Sequence, residues 1–279
     1  GFPPESLQCI TGSGGTIGDA IVSNPGIRKV TFTGSQEVGE RICKTAGLKK
    51  VTMELGSNSP LIVLPDADLE KVAEATAQSG FSNAGQVCIS TQRVIVDQSV
   101  YSDYLDVLVP VVESLKMGNP LEDPVKLGPM VRESDAERVS DWIGEAVSDG
   151  ARLLTGGDRD RAIVSPAVIA DAKPDMRVCR EELFGPAVTV TPASNIDEAI
   201  ELANDSRFGL SAAVFTENIN NALKFALEVD SGNLNINSGT QFRADLMPYG
   251  GLKDSGMGKE GPKYAIEEMT ELKMVVIHR

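Results

Sequence analysis

The chain has 279 residues, 41% of them hydrophobic and 24% charged, so a soluble globular protein of two domains or one large α/β unit is expected. A net charge of −14 argues against a general nucleic-acid or anionic-membrane surface, and no apolar run approaches the ~18 residues of a membrane span. The four cysteines are scattered, with no CxxC and no Cys/His cluster, which excludes a zinc or disulfide framework and fits a reducing, cytoplasmic setting. The one histidine, His278, is penultimate, so any general base is expected to be a carboxylate.

The chain opens at Gly1 in GFPPES with no signal peptide, and an excerpt of a longer product is expected. Next comes GSGGTIG at 12–18, then a short helical stretch. Its glycines let backbone approach a phosphate or ribose, although the spacing departs from the dinucleotide fingerprint and a plain loop would read alike. A strand at 28–33 runs into Gly34-Ser35 and a helix with Glu37 in its first turn. That geometry sets Ser35 and free N–H groups at the ligand-binding edge of a parallel sheet, or simply caps a helix.

A second strand, 50–53, leads to Glu54, followed by Leu55-Gly56. A carboxylate in an apolar, partly buried place has its pKa raised toward that of a general base; an ion-paired or capping Glu is the alternative. A strand at 60–64 and a helix at 69–79 capped by Asp68 follow. They lead to NAGQVCIS at 83–90, where Gly85 and Gln86 leave room and backbone donors beside Cys88. A helical turn starting just after Cys88 would stabilise a thiolate, and backbone N–H groups could hold an oxyanion; a buried inert thiol is the alternative.

Downstream the pattern predicts a strand at 93–96 and helices at 101–115 and 136–147. In CREELFGPAVTV, Glu181-Glu182 precede Phe184, and Pro186 fixes the turn into a strand at 187–190. An acid beside an aromatic can grip a ribose, while a solvated turn would look the same. A helix at 197–203, a strand at 212–215, a helix at 219–227 capped by Asn218 and a strand at 233–237 complete the alternation of a mostly parallel sheet with packed helices. Residues 248–261 hold five glycines in fourteen, a loop rather than an element interior. The closing ELKMVVIHR reads as a strand that must join this chain's sheet or extend a partner's.

Five stretches in this order, FTGS at 32–35, MELGS at 53–57, GQVC at 85–88, EELFGP at 181–186 and PYGGLKDSGMGKEG at 248–261, resemble the aldehyde dehydrogenase superfamily of NAD(P)-dependent enzymes. The resemblance runs from Gly1 to the C-terminus and covers the later portion of the longer family chain. It implies an α/β fold with part of a Rossmann-like cofactor domain at 1–56, a parallel-sheet catalytic domain at 57–254, and a C-terminal segment at 255–279 carrying an oligomerisation strand. A homodimer or homotetramer is implied with it. Cys88 stands where the family keeps its nucleophile and Glu54 where it keeps the general base. Gly14, Gly34, Ser35 and Leu55 match the loops that meet NAD or NADP, while Glu182 and Phe184 match the pair holding the nicotinamide ribose. No metal is implied.

The implied reaction is oxidation of an aldehyde to an acid through a thiohemiacetal and a thioester on Cys88. The family's acyl-CoA-forming branch lacks the Glu at position 54, so hydrolysis of the thioester is expected. The oxyanion-hole Asn and the Lys and acidic residue that grip the adenosine ribose have no counterpart here, and one lost oxyanion donor alone costs roughly 10²–10³ in rate. The chain by itself is therefore expected to be a weak or inactive enzyme. Two further readings are a cofactor-independent thiol esterase and a non-catalytic assembly form.

Relatives acting on phosphorylated glyceraldehyde carry Arg where Val87 stands, so an uncharged aldehyde is expected. The segment TQFRADLMPYGG is similar to lactaldehyde dehydrogenase-like members, and Arg243 meets a polar substrate end or forms a structural ion pair. ELGS replaces the usual ELGG, with Ser57 beside the base.

Overall fold

The apolar runs and amphipathic helices sort into two main sheets of unequal size in the computed structural model, which describes residues 1–279. The larger has seven strands in the order Asn233–Ile236, Ser211–Phe215, Pro60–Val63, Arg93–Asp97, Ala187–Ala193, Ala167–Ala170 and Arg152–Thr155. All pairings are parallel except the last, where Arg152–Thr155 lies antiparallel to Ala167–Ala170. Pro60–Val63 and the first four residues of Arg93–Asp97 are buried on both faces, which is why they read as continuous apolar runs rather than as alternation.

Helices Leu69–Phe81, Tyr101–Glu113 and Glu133–Ser148 cover one face, closing a core of 35 buried residues that includes Tyr104, Trp142 and Val188. Helices Ile196–Asn204 and Ile219–Glu228 cover the other face over a cluster of 11. The expected caps form: the Asp68 carboxylate accepts from the Lys71 N–H and the Asn218 side chain from the Asn220 N–H. No helix is long and apolar enough to cross a membrane.

The smaller sheet has three strands. Lys29–Thr33 runs parallel to Lys50–Glu54, and Gly256–Met257 returns from the far end of the chain to pair antiparallel with the latter. Helices Gly14–Ser23 and Gln36–Ala46 pack on it around Val22, Val30, Ala46, Met53 and Leu55.

Three expectations shift. The strands Arg152–Thr155 and Ala167–Ala170 carry no sequence signal: the first is a partly exposed edge and the second a four-residue buried run. The helix expected at 136–147 begins at Glu133, because its acidic first turn of Glu133 and Asp135 lies outside the apolar period. The closing segment 271–279, expected as a strand, pairs with neither sheet. Met274, Val275, Val276 and Ile277 stay exposed.

Candidate functional site

Cys88 sits in a turn beyond the C-terminus of helix Leu69–Phe81, not ahead of a helix. The chain leaves that helix through three consecutive left-handed residues, Asn83, Ala84 and Gly85, with φ of 53°, 54° and 70°. Only glycine fits the last of these. A Cβ on Gly85 would lie 2.1 Å from the Gly185 carbonyl oxygen, so the GQVC and LFGP loops touch backbone to backbone. Gln86 braces the turn, donating to the Asn83 carbonyl at 3.0 Å and accepting from the Val131 N–H at 2.9 Å.

The expectation of a thiolate stabilised by a helix N-terminus is therefore corrected. Burial pushes the half-buried Cys88 thiol up, a hydrogen bond with Tyr249 works against this, and the charges of Glu182 and Glu54 add to the rise. The resting sulfur is a thiol. Val87 and Cys88 pack against Ile89, Leu210 and Tyr249, a small apolar patch behind the sulfur.

Glu54 ends strand Lys50–Glu54, is 4% exposed, and neither carboxylate oxygen has a hydrogen-bond partner. It is neither a helix cap nor half of an ion pair, which disposes of the alternatives for this residue. Its carboxyl is raised from 4.5 to about 7, first by burial and then by the Glu260 charge, with Lys259 and Arg243 opposing. A buried carboxyl that exchanges its proton near neutral pH, with both oxygens free, can accept a proton from water. Its charge reaches Cys88, so strand end and turn share one site.

On the other side, Glu182 accepts the Ser57 N–H at 2.9 Å, and its second oxygen presses on Gly56, where a Cβ would come within 2.5 Å. Burial raises its carboxyl, with the Ser57 N–H and then the Arg138 charge lowering it. Phe184 is held at φ 48° between buried Leu183 and Gly185, which turns its ring outward to 39% exposure. Glu182 and Phe184 border one cleft together with Ser57, Gly85 and Val87.

The remaining positions divide. The Gly34 N–H donates to the Glu54 carbonyl at 3.1 Å, and exposed Ser35 precedes helix Gln36–Ala46 without its side chain capping it. Leu55 lies against Gly39, where a Cβ would come within 2.6 Å of its side chain. Gly14 opens helix Gly14–Ser23 facing open space, so most of GSGGTIG is helix rather than loop. The Ser57 hydroxyl is 3.2 Å from that of Ser59, turned to a buried partner. Arg243 pairs with Glu260 at 2.8 Å, as the ion-pair alternative required, and also borders a groove of about 600 Å³ with Asn237, Gln241 and Phe242.

Sequence reasoning assigned nothing to Tyr249, Lys259 and Glu260. All three lie in the glycine-rich run, and what marks them is the Tyr249 hydroxyl on Cys88 and the charges of Lys259 and Glu260 acting on Glu54, which only the fold creates.

Comparison with known proteins fits this geometry. The aldehyde dehydrogenase family profile matches residues 1–275. A 3-sulfolactaldehyde dehydrogenase of Priestia aryabhattai is 48% identical over 278 residues, covering 100% of this chain, and a lactaldehyde dehydrogenase of Methanococcus maripaludis is 45% identical over 277, covering 99% of it. The chain spans 58% and 59% of the length of these relatives. A crystal structure of glyceraldehyde-3-phosphate dehydrogenase from Methanocaldococcus jannaschii complexed with NADP superposes with a TM-score of 0.94 at 41% identity, covering 97% of this chain and 59% of that one. The turn that presents Cys88, the unpartnered Glu54 and the Glu182–Phe184 cleft thus sit in a chain that belongs to the aldehyde dehydrogenase family.

Proposed function

We propose that the protein containing this chain oxidises an aldehyde to a carboxylic acid with NAD or NADP, Cys88 being the nucleophile and Glu54 the general base. The observation that carries this reading is Glu54: a buried carboxyl with a pKa of about 7 and no partner on either oxygen has no structural use, and its charge bears on the half-buried Cys88 thiol. Cys88 gives its proton to solvent and Sγ adds to the aldehyde carbon; the C=O π pair moves to oxygen, and backbone N–H groups of the turn stabilise that oxyanion. A bound nicotinamide supplies the hydride acceptor for the step from thiohemiacetal to thioester. Glu54 then takes a proton from water, which releases the acid and frees the sulfur.

The cleft suits such a cofactor. Glu182 keeps one oxygen free of hydrogen bonds and Phe184 offers a flat exposed face beside it, a pair suited to hydroxyls and ring of a ribose. Gly14, Gly34, Ser35 and Leu55 are assigned to the same NAD or NADP by the family resemblance.

Half-buried Val87 beside the sulfur supports an uncharged aldehyde end, and Arg243 at the groove supports a polar group at the other. Hydroxylated small aldehydes of the lactaldehyde type are the first to try. The exposed run Met274–Ile277 supports strand exchange with a second copy in a dimer or tetramer, and four free cysteines support a cytoplasmic setting.

An acyl-transfer experiment tests the core of the reading without the cofactor. With an activated ester, the chain is expected to accumulate an adduct on Cys88 by mass spectrometry; Cys88→Ser abolishes it, and Glu54→Gln prolongs its lifetime on the order of a hundredfold. An adduct that survives Cys88→Ser, or one cleared equally fast by Glu54→Gln, would sink the assignment.

A further inference from the structure

Cys88 Sγ has one side-chain partner, the Tyr249 hydroxyl at 3.7 Å, and that hydroxyl has no other partner. Tyr249 is 4% exposed and comes from a loop 161 residues away. It is held unusually firmly. Its N–H and carbonyl both bond to Glu260, at 3.3 and 2.6 Å, its ring packs with Ile89 and Leu210, and the Arg243 guanidinium lies 4.1 Å from the ring centroid. Arg243 is in turn fixed by Glu260 at 2.8 Å. A loop that spends two backbone bonds, a stack and an ion pair to aim one phenol at a sulfur calls for a reason.

We propose that Tyr249 is a further catalytic residue, its hydroxyl donating to Cys88 Sγ so as to hold the sulfur in place and stabilise the attacking thiolate, with Arg243 a positioning residue acting through the ring. The inference rests on Cys88 being the nucleophile. The bond is weak while the sulfur is a thiol and strengthens when it becomes a thiolate, because a phenol donating to an anion is charge-assisted. Its contribution therefore falls on the reactive form.

The surroundings explain why such a donor is needed. No helix starts at the sulfur, and the charges of Glu182 and Glu54 reach it and oppose its ionisation. The cations nearby, Arg243 and Lys259, bear on Glu54 and on the Tyr249 ring, and Lys259 is tied to the Gly250 carbonyl at 2.6 Å. Apart from the backbone of Cys88 itself, Tyr249 is the hydrogen-bonding group that favours the thiolate. The phenol is shifted far upward, first by burial and then by the Cys88 charge, which favours the protonated form that can donate.

The test reads each cysteine separately. The rate of iodoacetamide alkylation is followed by peptide mass spectrometry from about pH 6 to about pH 11 in the unaltered chain and in Tyr249→Phe, which keeps the ring. Tyr249→Phe is expected to move the Cys88 midpoint upward and slow its labelling near neutral pH about tenfold, with the high-pH plateau unchanged. Exposed Cys9 is the internal control and stays constant. Arg243→Lys, which keeps the charge but loses the planar stack, is expected to shift the midpoint the same way by less.

Superimposable Cys88 profiles overturn the role of Tyr249. A changed plateau with a fixed midpoint does so too, since the phenol would then govern access alone. An unmoved midpoint in Arg243→Lys overturns the positioning role. If Cys88 of the unaltered chain labels no faster than buried Cys179 at any pH, the nucleophile reading itself has failed, a result distinct from all of these.

Discussion

Glu54→Gln should make the protein more stable at alkaline pH while slowing release of the acyl group. The Glu54 carboxyl titrates at about 7 in the folded chain against an ordinary 4.5. Because the folded pKa is the higher, the folded state holds this proton more tightly, and stability falls as pH rises from about 4.5 to about 7, then stays level. At about 1.36 kcal/mol per pH unit that gap corresponds to roughly 3 kcal/mol, and relaxation around the charged form brings it to about 2. Gln has the shape of the protonated acid and carries no charge to bury. The urea-denaturation difference between variant and unaltered chain should be near zero at about pH 4 and should favour the variant by about 2 kcal/mol at about pH 8. Other titrating groups cancel in that difference. Equal differences at the two pH values would show that Glu54 is already solvated or paired, and the case for it as an unsatisfied base would fall with them.

Two further substitutions probe the frame around the site. Gly85→Ala places a Cβ 2.1 Å from the Gly185 carbonyl oxygen at φ 70°, and should cost at least about 2 kcal/mol in denaturation while lowering Cys88 alkylation at neutral pH. Wild-type stability in this variant would mean that the two loops are not in backbone contact. Arg93, buried, donates to the carbonyls of Asn58, Leu202 and Ala203 at 3.0, 2.8 and 3.0 Å, joining the segment after Glu54 to the end of helix Ile196–Asn204. Arg93→Met leaves those acceptors bare and should cost about 3 kcal/mol in the same assay, with a loss below 1 kcal/mol refuting the role of the three bonds.

Much of the architecture was legible because its signals are local. The buried strands Pro60–Val63 and Arg93–Asp97 announce themselves as apolar runs, and Asp68 and Asn218 mark helix starts where they occur. Glu54 was legible as a raised carboxyl because it ends an apolar strand and precedes Leu55-Gly56, where a solvated surface charge would be out of place. Arg152–Thr155 was hidden, since an edge strand with exposed residues lacks the period that a core imposes.

The helical turn expected after Cys88 was wrong for a related reason. After Cys88 the Ser90 N–H bonds the Val87 carbonyl and the Ser90 hydroxyl the carbonyls of Ser79 and Gly80, ties back to the preceding helix that send the chain on into strand Arg93–Asp97. Tyr249 and Glu260 were invisible as site residues because nothing near them in sequence points to Cys88. For Arg243 the ion-pair alternative holds and its place at the groove stands beside it.

The strand that carries Glu54 uses both of its edges, one on Lys29–Thr33 and the other on Gly256–Met257. The second edge is reinforced where the Leu55 N–H meets the Ser255 carbonyl at 2.9 Å and the Ser255 hydroxyl meets the Gly56 carbonyl at 2.7 Å, across 199 residues of chain. That distance along the chain has a kinetic meaning. As the polypeptide leaves the ribosome, the large sheet waits for Ser211–Phe215 to flank Pro60–Val63, and the Glu54 strand keeps a bare edge longer still, until residues 255–257 emerge. The edge that fixes the base and the Glu260 bonds that fix Tyr249 both form only from residues beyond 254, so a nascent chain can present the sulfur before it holds either group that would act on it.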